Sequence, residues 1–197
     1  IEAQHRRKDG TIYDVEVSTQ FISTEGGKTV SFMRDITARR QIEEMMRTSE
    51  KRFRGLFDDS PISQWEEDFS AVKQLLDALR AGGVSDFASY LSQHPEVVLE
   101  CAGMIKVLDV NKATLHLFGA ARKEDFYQNL TSIFPEEAIK YFRAELVLIA
   151  SNVTHFEMET VNRTLDGKEI SIVLNWAILP GYESDCSKVI VTLMDIT

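Results

Sequence analysis

Residues 164–175 read TLDGKEISIVLN, and residues 7–18 read RKDGTIYDVEVS. Each is an Asp-Gly pair followed by an alternating apolar pattern, and each runs on to a segment ending Asp-Ile-Thr, at 35–37 and at 195–197. Asp-Gly flanked by alternating runs is a strong short-range hairpin signal, because glycine takes positive φ at no steric cost. Setting Asp9-Gly10 on Asp166-Gly167 also sets Glu2 on Glu159, Arg6 on Arg163, Val15 on Ile172 and Val17 on Leu174. Register holds through a whole strand, so the chain carries an internal repeat. The loop PGYESDCSKV of the second copy is longer than STEGGKTV (23–30) of the first, and both are rich in turn formers. Each copy reads as strand, hairpin, strand, loop, strand.

The strands alternate. Phe156 and Met158 share one face while His155, Glu157 and Glu159 share the other, and Ile170, Ile172, Leu174, Trp176 and Ile178 line one face of the next strand. Such a sheet buries one face and presents the other to water or to another element. His155, Glu157 and Glu159 read as a solvated face, because side chains two apart in a strand sit about 6.6 Å apart and do not converge on one ion. In the first copy Tyr13, Val15, Val17 and Phe21 make an apolar face that needs a cover, since each Å² left in water costs roughly 25 cal/mol. The connecting helix, or the same fragment of a second chain, is the expected cover.

Between the copies the period changes. From Ala38 to Asp58 the chain has no proline, and Ile42, Met46, Ser49, Phe53 and Leu56 follow a 4-3-4-3 spacing. That is a heptad seam. Two readings stay open: a coiled-coil linker pairing with a second chain through Ile42, Met46, Phe53 and Leu56, or an amphipathic helix lying on its own sheet. After Ser60-Pro61, ISQWEED reads as a short strand. Phe69, Val72, Leu75, Leu76 and Leu79 then recur at helical spacing up to Gly82-Gly83, with Lys73, Gln74, Asp77 and Arg80 assigned to the solvent side. Ser85 or Asp86 caps a second short helix, and Pro95 opens a third. MIKVLDV is a strand, Asn111 caps KATLHLFG, and PEEAIKYFRAELVLIA is a long amphipathic helix leading to the second copy.

Composition sets the outer limits. The 197 residues hold 22 Lys+Arg against 31 Asp+Glu, a net charge of −9, and are 44% apolar, which marks a folded acidic chain. That balance disfavours nucleic-acid binding, which depends on basic side chains at phosphates. No apolar run approaches the ~20 residues that span a bilayer, so no membrane contact is expected. Cys101 and Cys186 form no CxxC pair and read as ordinary thiols of a reducing compartment. The opening IEAQHRRKDG has no Met and reads as the interior of a longer protein. Neither a Gly-x-Ser-x-Gly elbow nor a phosphate loop occurs, so no enzyme class is indicated.

SEKRFRGLFDDSPI, IKVLDVNKATLHLFGA, RTLDGKEISIVLNW and VTLMDIT, in this order, resemble a PAS domain, the sensory module of bacterial sensor histidine kinases and related two-component regulators. The resemblance implies an α+β fold with a five-stranded antiparallel sheet in order 2-1-5-4-3 and helices on one face. It implies three segments: 1–37, the last three strands of a preceding PAS domain; 38–59, a signalling helix; and 60–197, a PAS domain of a subgroup with a helical insertion at about 68–102. It further implies a non-enzymatic, cytoplasmic, homodimeric module with an effector in cis. Asp35, Thr37, Asp195 and Thr197 would couple strand to outgoing helix, and Trp65, Phe118, Met158, Leu174 and Trp176 would line a pocket for an unidentified small ligand. No cofactor is assigned and no metal site is expected. A haem or flavin sensor is the alternative; His116 is the candidate haem ligand, and the cysteine of photoactive flavin domains is missing from LHLFGAARKEDF.

Overall fold

The computed structural model describes residues 1–23 and 26–197; Thr24 and Glu25, in the loop read at 23–30, lie outside the described residues. The chain divides into two compact units, Ile1–Arg54 and Gly55–Thr197.

In the first unit β1 (Glu2–Arg6), β2 (Ile12–Ile22) and β3 (Lys28–Asp35) form an antiparallel sheet in that order. The Asp-Gly turn closes through the Arg7 amide on the Thr11 carbonyl (2.8 Å), with Gly10 at φ 89°. A side chain there would be strained, so the turn needs its glycine. Val15, opposite Ala3 and Asp35, is fully buried. The apolar face expected around it is covered only in part: Tyr13 and Val17 are half-buried, while Phe21 and, opposite Val17 on β3, Met33 are exposed. α1 (Thr37–Asp58) follows, carrying the ion pairs Arg39–Glu43, Arg47–Glu44 and Arg54–Glu50 at helical spacing.

The second unit contains β4 (Ser63–Asp68), α2 (Ser70–Ala81), α3 (Phe87–Gln93), α4 (Pro95–Met104), β5 (Lys106–Val110), α5 (Lys112–Phe118) and α6 (Lys123–Gln128). After a 3₁₀ turn (Leu130–Ile133) come α7 (Ala138–Ala150), β6 (His155–Arg163), β7 (Glu169–Ile178) and β8 (Val189–Asp195). The sheet order is β5-β4-β8-β7-β6, all antiparallel, which is 2-1-5-4-3 in the unit's own count. This is the PAS fold.

Alternation decides which side packs. Ser63, Trp65 and Glu67 of β4, Ile170, Ile172, Leu174 and Trp176 of β7, and Val189, Val191 and Leu193 of β8 are all buried, with exposed or half-buried residues between them. The helices bring Val72, Leu76, Leu91, Val98, Leu146 and Ile149 into the same core. The second Asp-Gly turn repeats the first, with Thr164 N on Lys168 O at 2.8 Å and Gly167 at φ 92°.

Two expectations about the helices are corrected. The long helix starts at Ala138, because Pro135 to Glu137 form turns that hand over to it. Lys73 is not on the solvent side: its stem is buried and its ammonium reaches forward to Asp77 (2.6 Å), as a long aliphatic side chain permits.

Candidate functional site: a cavity beneath the sheet

A cavity of about 480 Å³ lies in the second unit between the inner face of the sheet and the helices. That is the size of a small-molecule site, typically ~300–1,000 Å³. Trp65 and Glu67 of β4, Thr160 and Asn162 of β6, Leu174 and Trp176 of β7, and Val191 and Leu193 of β8 form its floor. Val98, Leu99 and Ala102 of α4, Phe134, and Ala138, Ile139, Phe142 and Glu145 of α7 form its roof. Leu99, Phe134 and Ile139 are exposed as well as lining, so the cavity opens to solvent beside α4 and the start of α7 through an apolar mouth.

Of the five residues expected to line a pocket, Trp65, Leu174 and Trp176 do so. Phe118 and Met158 lie outside the lining. Phe118 is fully buried, its ring edge-on to Trp65 at 5.7 Å, and fills its own space; Met158 is half-buried opposite Leu174 on the neighbouring strand. His116 is exposed on α5, and among the described residues no His, Cys, Tyr or Met lines the cavity. Those residues supply no axial ligand, so the cavity does not suit haem. Cys101 and Cys186 are free, buried and outside the lining; burial pushes the Cys101 thiol up to about 11. Among the described residues no group of three metal-ligating side chains occurs.

Four polar lining residues are not among those expected from the sequence. Glu67 and Glu145 are each 8% exposed, and Thr160 and Asn162 are buried beside them in the lining. None of the four side chains has a hydrogen-bond or ion-pair partner among the described residues, and the buried indole N–H of Trp176 also lacks one. Burial pushes the Glu67 carboxyl up to about 8, and burial together with the charge of Glu67 does the same to Glu145. Signals for both existed. Glu67 alternates with Ser63 and Trp65, and Glu145 lies three residues after Phe142 and four before Ile149, on the helix's core seam. A bulge in β5 opposite Glu66 and Glu67 shifts the register beside this carboxyl.

From the cavity wall a hydrogen-bond chain runs through the unit. The Trp65 indole donates to Ser63 Oγ (3.1 Å), which shares a bond with Thr114 Oγ1 (2.8 Å), and Thr114 bonds Asn111 Oδ1 (3.0 Å). Asn111 is the expected cap of α5: its Oδ1 also accepts from the amides of Thr114 (2.9 Å) and Gln64 (3.0 Å). Its Nδ2 donates to the carbonyls of Phe57 (3.1 Å) at the end of α1 and of Ile62 (2.8 Å). One fully buried amide thereby ties helix end, first strand and following helix together.

The two Asp-Ile-Thr segments have matching geometry. Thr37 N donates to Asp35 Oδ1 (3.0 Å), and Thr37 Oγ1 accepts from the Asp14 amide (3.0 Å). In the second unit Thr197 N donates to Asp195 Oδ1 (2.9 Å), and Thr197 Oγ1 accepts from the Ser171 amide (3.1 Å). The isoleucine between them donates its amide to the carbonyl of the same middle-strand residue, Asp14 or Ser171, at 2.9 Å in both. Hydrogen bonds from these threonines hold the Asp35 and Asp195 carboxyls below the usual range. On α1, Ile42, Met46, Phe53 and Leu56 are all exposed.

A family model described as the PAS fold matches residues 96–196, just over half of the chain, and one described as a PAS domain matches residues 1–38. The chain belongs to the PAS family of sensory domains. No curated protein matches it. Among solved structures it is similar to the PAS domain of an HTR-like protein from Haloarcula marismortui, with 13% identity, 80% of this chain and 99% of that one covered, and a TM-score of 0.48. It is also similar to a domain of a sensory box sensor histidine kinase/response regulator from Geobacter sulfurreducens, with 16% identity, 76% and 96% covered, and a TM-score of 0.46. A PAS domain from Colwellia psychrerythraea has 14% identity, 75% and 96% covered, and a TM-score of 0.49. Among the described residues no helix is long and apolar enough to cross a membrane.

Proposed function

We propose that the chain is a sensory and signal-transmission module of a larger bacterial signalling protein, without catalysis of its own, which binds a small ligand in the cavity and pairs with a second copy of itself. Residues 1–37 are the closing strands of one PAS module, 38–59 the connecting helix, and 60–197 a second module with a helical insertion at about 68–102. The observation that carries this reading is the hydrogen-bond chain from Trp65 at the cavity wall to the Phe57 carbonyl at the end of α1. A ligand that favours one arrangement of that wall biases the helix end by its difference in affinity for the two states. Asp195 and Thr197, like Asp35 and Thr37, hold the last strand to the middle strand where the chain leaves the sheet, and pass the bias to an effector in cis, such as a kinase. The module works in the cytoplasm, without contact to nucleic acid or membrane.

Dimerisation rests on α1. Ile42, Met46 and Leu56 are apolar, exposed and spaced along one seam, flanked by charged pairs, as a parallel two-stranded coil requires. Light scattering on the chain tests this: a dimer is expected, and the double variant Met46→Glu with Leu56→Glu is expected to be monomeric with unchanged circular dichroism. A wild-type chain that stays monomeric at every concentration overturns the pairing.

A further inference from the structure

We propose that the cavity receives a small organic cation, an amine on an apolar body, whose ammonium group is held by the carboxyl groups of Glu67 and Glu145. This names the ligand class of the site in the sensory reading above and rests on that reading. Two carboxyls without a protein cation, both more than nine-tenths buried and both lining one apolar cavity, are costly in the isolated protein. Burial has pushed both up to about 8, so each charge is penalised for want of a partner. A guest ammonium supplies that partner.

The rest of the lining suits the remainder of such a molecule. Trp65, Phe69, Phe142 and Trp176 offer aromatic faces, which attract a desolvated cation as well as an apolar body. Thr160 and Asn162 supply an unpartnered hydroxyl and amide, which complete an ammonium's three donors or bond a polar substituent. An anion is disfavoured, because among the described residues no Lys, Arg or His lines the cavity. Glu136 is the other ionisable residue of the lining, and the buried Lys73 of the adjoining α2 is already bonded to Asp77.

Isothermal titration calorimetry on the whole chain tests this with phenethylamine and cyclohexylamine, their neutral isosteres 2-phenylethanol and cyclohexanol, and the anion 3-phenylpropionate. At about pH 8.5 at least one amine is expected to bind about tenfold or more tightly than its alcohol, and at about pH 6.5, where the carboxyls hold protons, that preference narrows. Glu67→Gln and Glu145→Gln should each abolish the preference while leaving alcohol binding and the melting curve cooperative. Silence from both amines, equal or tighter binding of the alcohols or of phenylpropionate, or an amine preference that survives both substitutions overturns the proposal. Silence from the amines in a chain that is dimeric by light scattering removes this ligand class and leaves the transmission reading standing. Amine binding by a chain that is strictly monomeric keeps this ligand class and overturns only the pairing.

Discussion

The two units use one design of sheet end with different covers. Gly10 and Gly167 turn at φ 89° and 92°, and Thr37 and Thr197 accept amide bonds from equivalent residues of the middle strand. Val15 and Ile172, which occupy the same place, are both fully buried. Beyond that point they part. Every residue of β3 is exposed, whereas Val189, Val191 and Leu193 of β8 are buried under helices. Turns and junctions are thus written into a few neighbouring residues and form without a roof. Burial of the remaining strand, and the cavity with it, depends on α4 and α7, which only the second unit has.

That contrast is broken most forcefully by deleting large side chains. Trp176 is enclosed between Phe69 (5.6 Å, edge-on) and Phe156 (5.0 Å, stacked). Trp176→Ala is expected to cost ~3–5 kcal/mol in urea unfolding of the second unit. Phe32→Ala, on the exposed sheet of the first unit, is expected to stay within ~0.5 kcal/mol. A loss of several kcal/mol at Phe32 would mean that in solution something covers this face.

Next in size is the anchoring of α1. At its start Arg40 pairs with Glu2 (2.6 Å) and Asp14 (3.1 Å) in partly exposed surroundings, while at its end Phe57 is held by the buried Asn111. Asn111→Asp keeps the shape but sets a carboxylate oxygen against the carbonyls of Phe57 and Ile62 in place of a donor. A cost of about 2–4 kcal/mol is expected by denaturant titration. Arg40→Ala, at a partly exposed pair, should cost under ~1 kcal/mol. Similar losses at the two ends would refute the distinction between a buried polar hub and a surface ion pair.

The cavity carboxyls come third, and they give only the second unit a marked pH dependence. Unfolded, Glu67 titrates near its ordinary 4.5; folded, it titrates at about 8. Below the lower value both states hold the proton and stability is complete. Between the two only the unfolded chain loses it, so stability falls as pH rises and levels off above about 8. Glu67→Gln is expected to flatten this slope and to gain on the order of 2 kcal/mol at about pH 9, less than the full shift because the cavity opens to solvent. Melting curves from about pH 5 to pH 9 read it, and identical slopes for both proteins would show that Glu67 is not the group responsible.

Legibility follows the same division. The hairpins, the Asn111 cap and the inward sides of β6 and β7 are readable because each is set by neighbours or by strict alternation, whereas the cap of α3 stays open between Ser85 and Asp86 until the structure shows Asp86 accepting from the Ser89 amide (3.0 Å). The strand order was not in the periodicity and came from the family resemblance. Within the candidate site, alternation put Trp65, Leu174 and Trp176 on the inner face, but could not say which part of that face is filled and which is open. Phe118 packs into its own space against Trp65 and Phe126, so an inward aromatic there closes volume rather than lining it. Glu67 and Glu145 are not legible from residue type, because a carboxyl is ordinarily solvated; only their positions in strand and helix point inward. Lys73 shows the complementary effect: its charge points to solvent, while its long stem is buried.

The smallest effect tests the feature the two units share. Thr37→Val and Thr197→Val keep the side-chain shape and remove the hydroxyl that accepts from the Asp14 or Ser171 amide. Each loses one hydrogen bond, a net effect of about 1 kcal/mol, so hydrogen exchange at the Asp14 amide should speed up about fivefold in the first variant and at the Ser171 amide in the second. Thr48→Val, at an exposed position on α1, should leave both amides alone. If the junction is a local device, each substitution is felt only in its own unit. Faster exchange at Ser171 caused by Thr37→Val would instead reveal energetic coupling along α1, the behaviour a transmitting module needs, and its size would measure how much of a bias at one sheet end reaches the other.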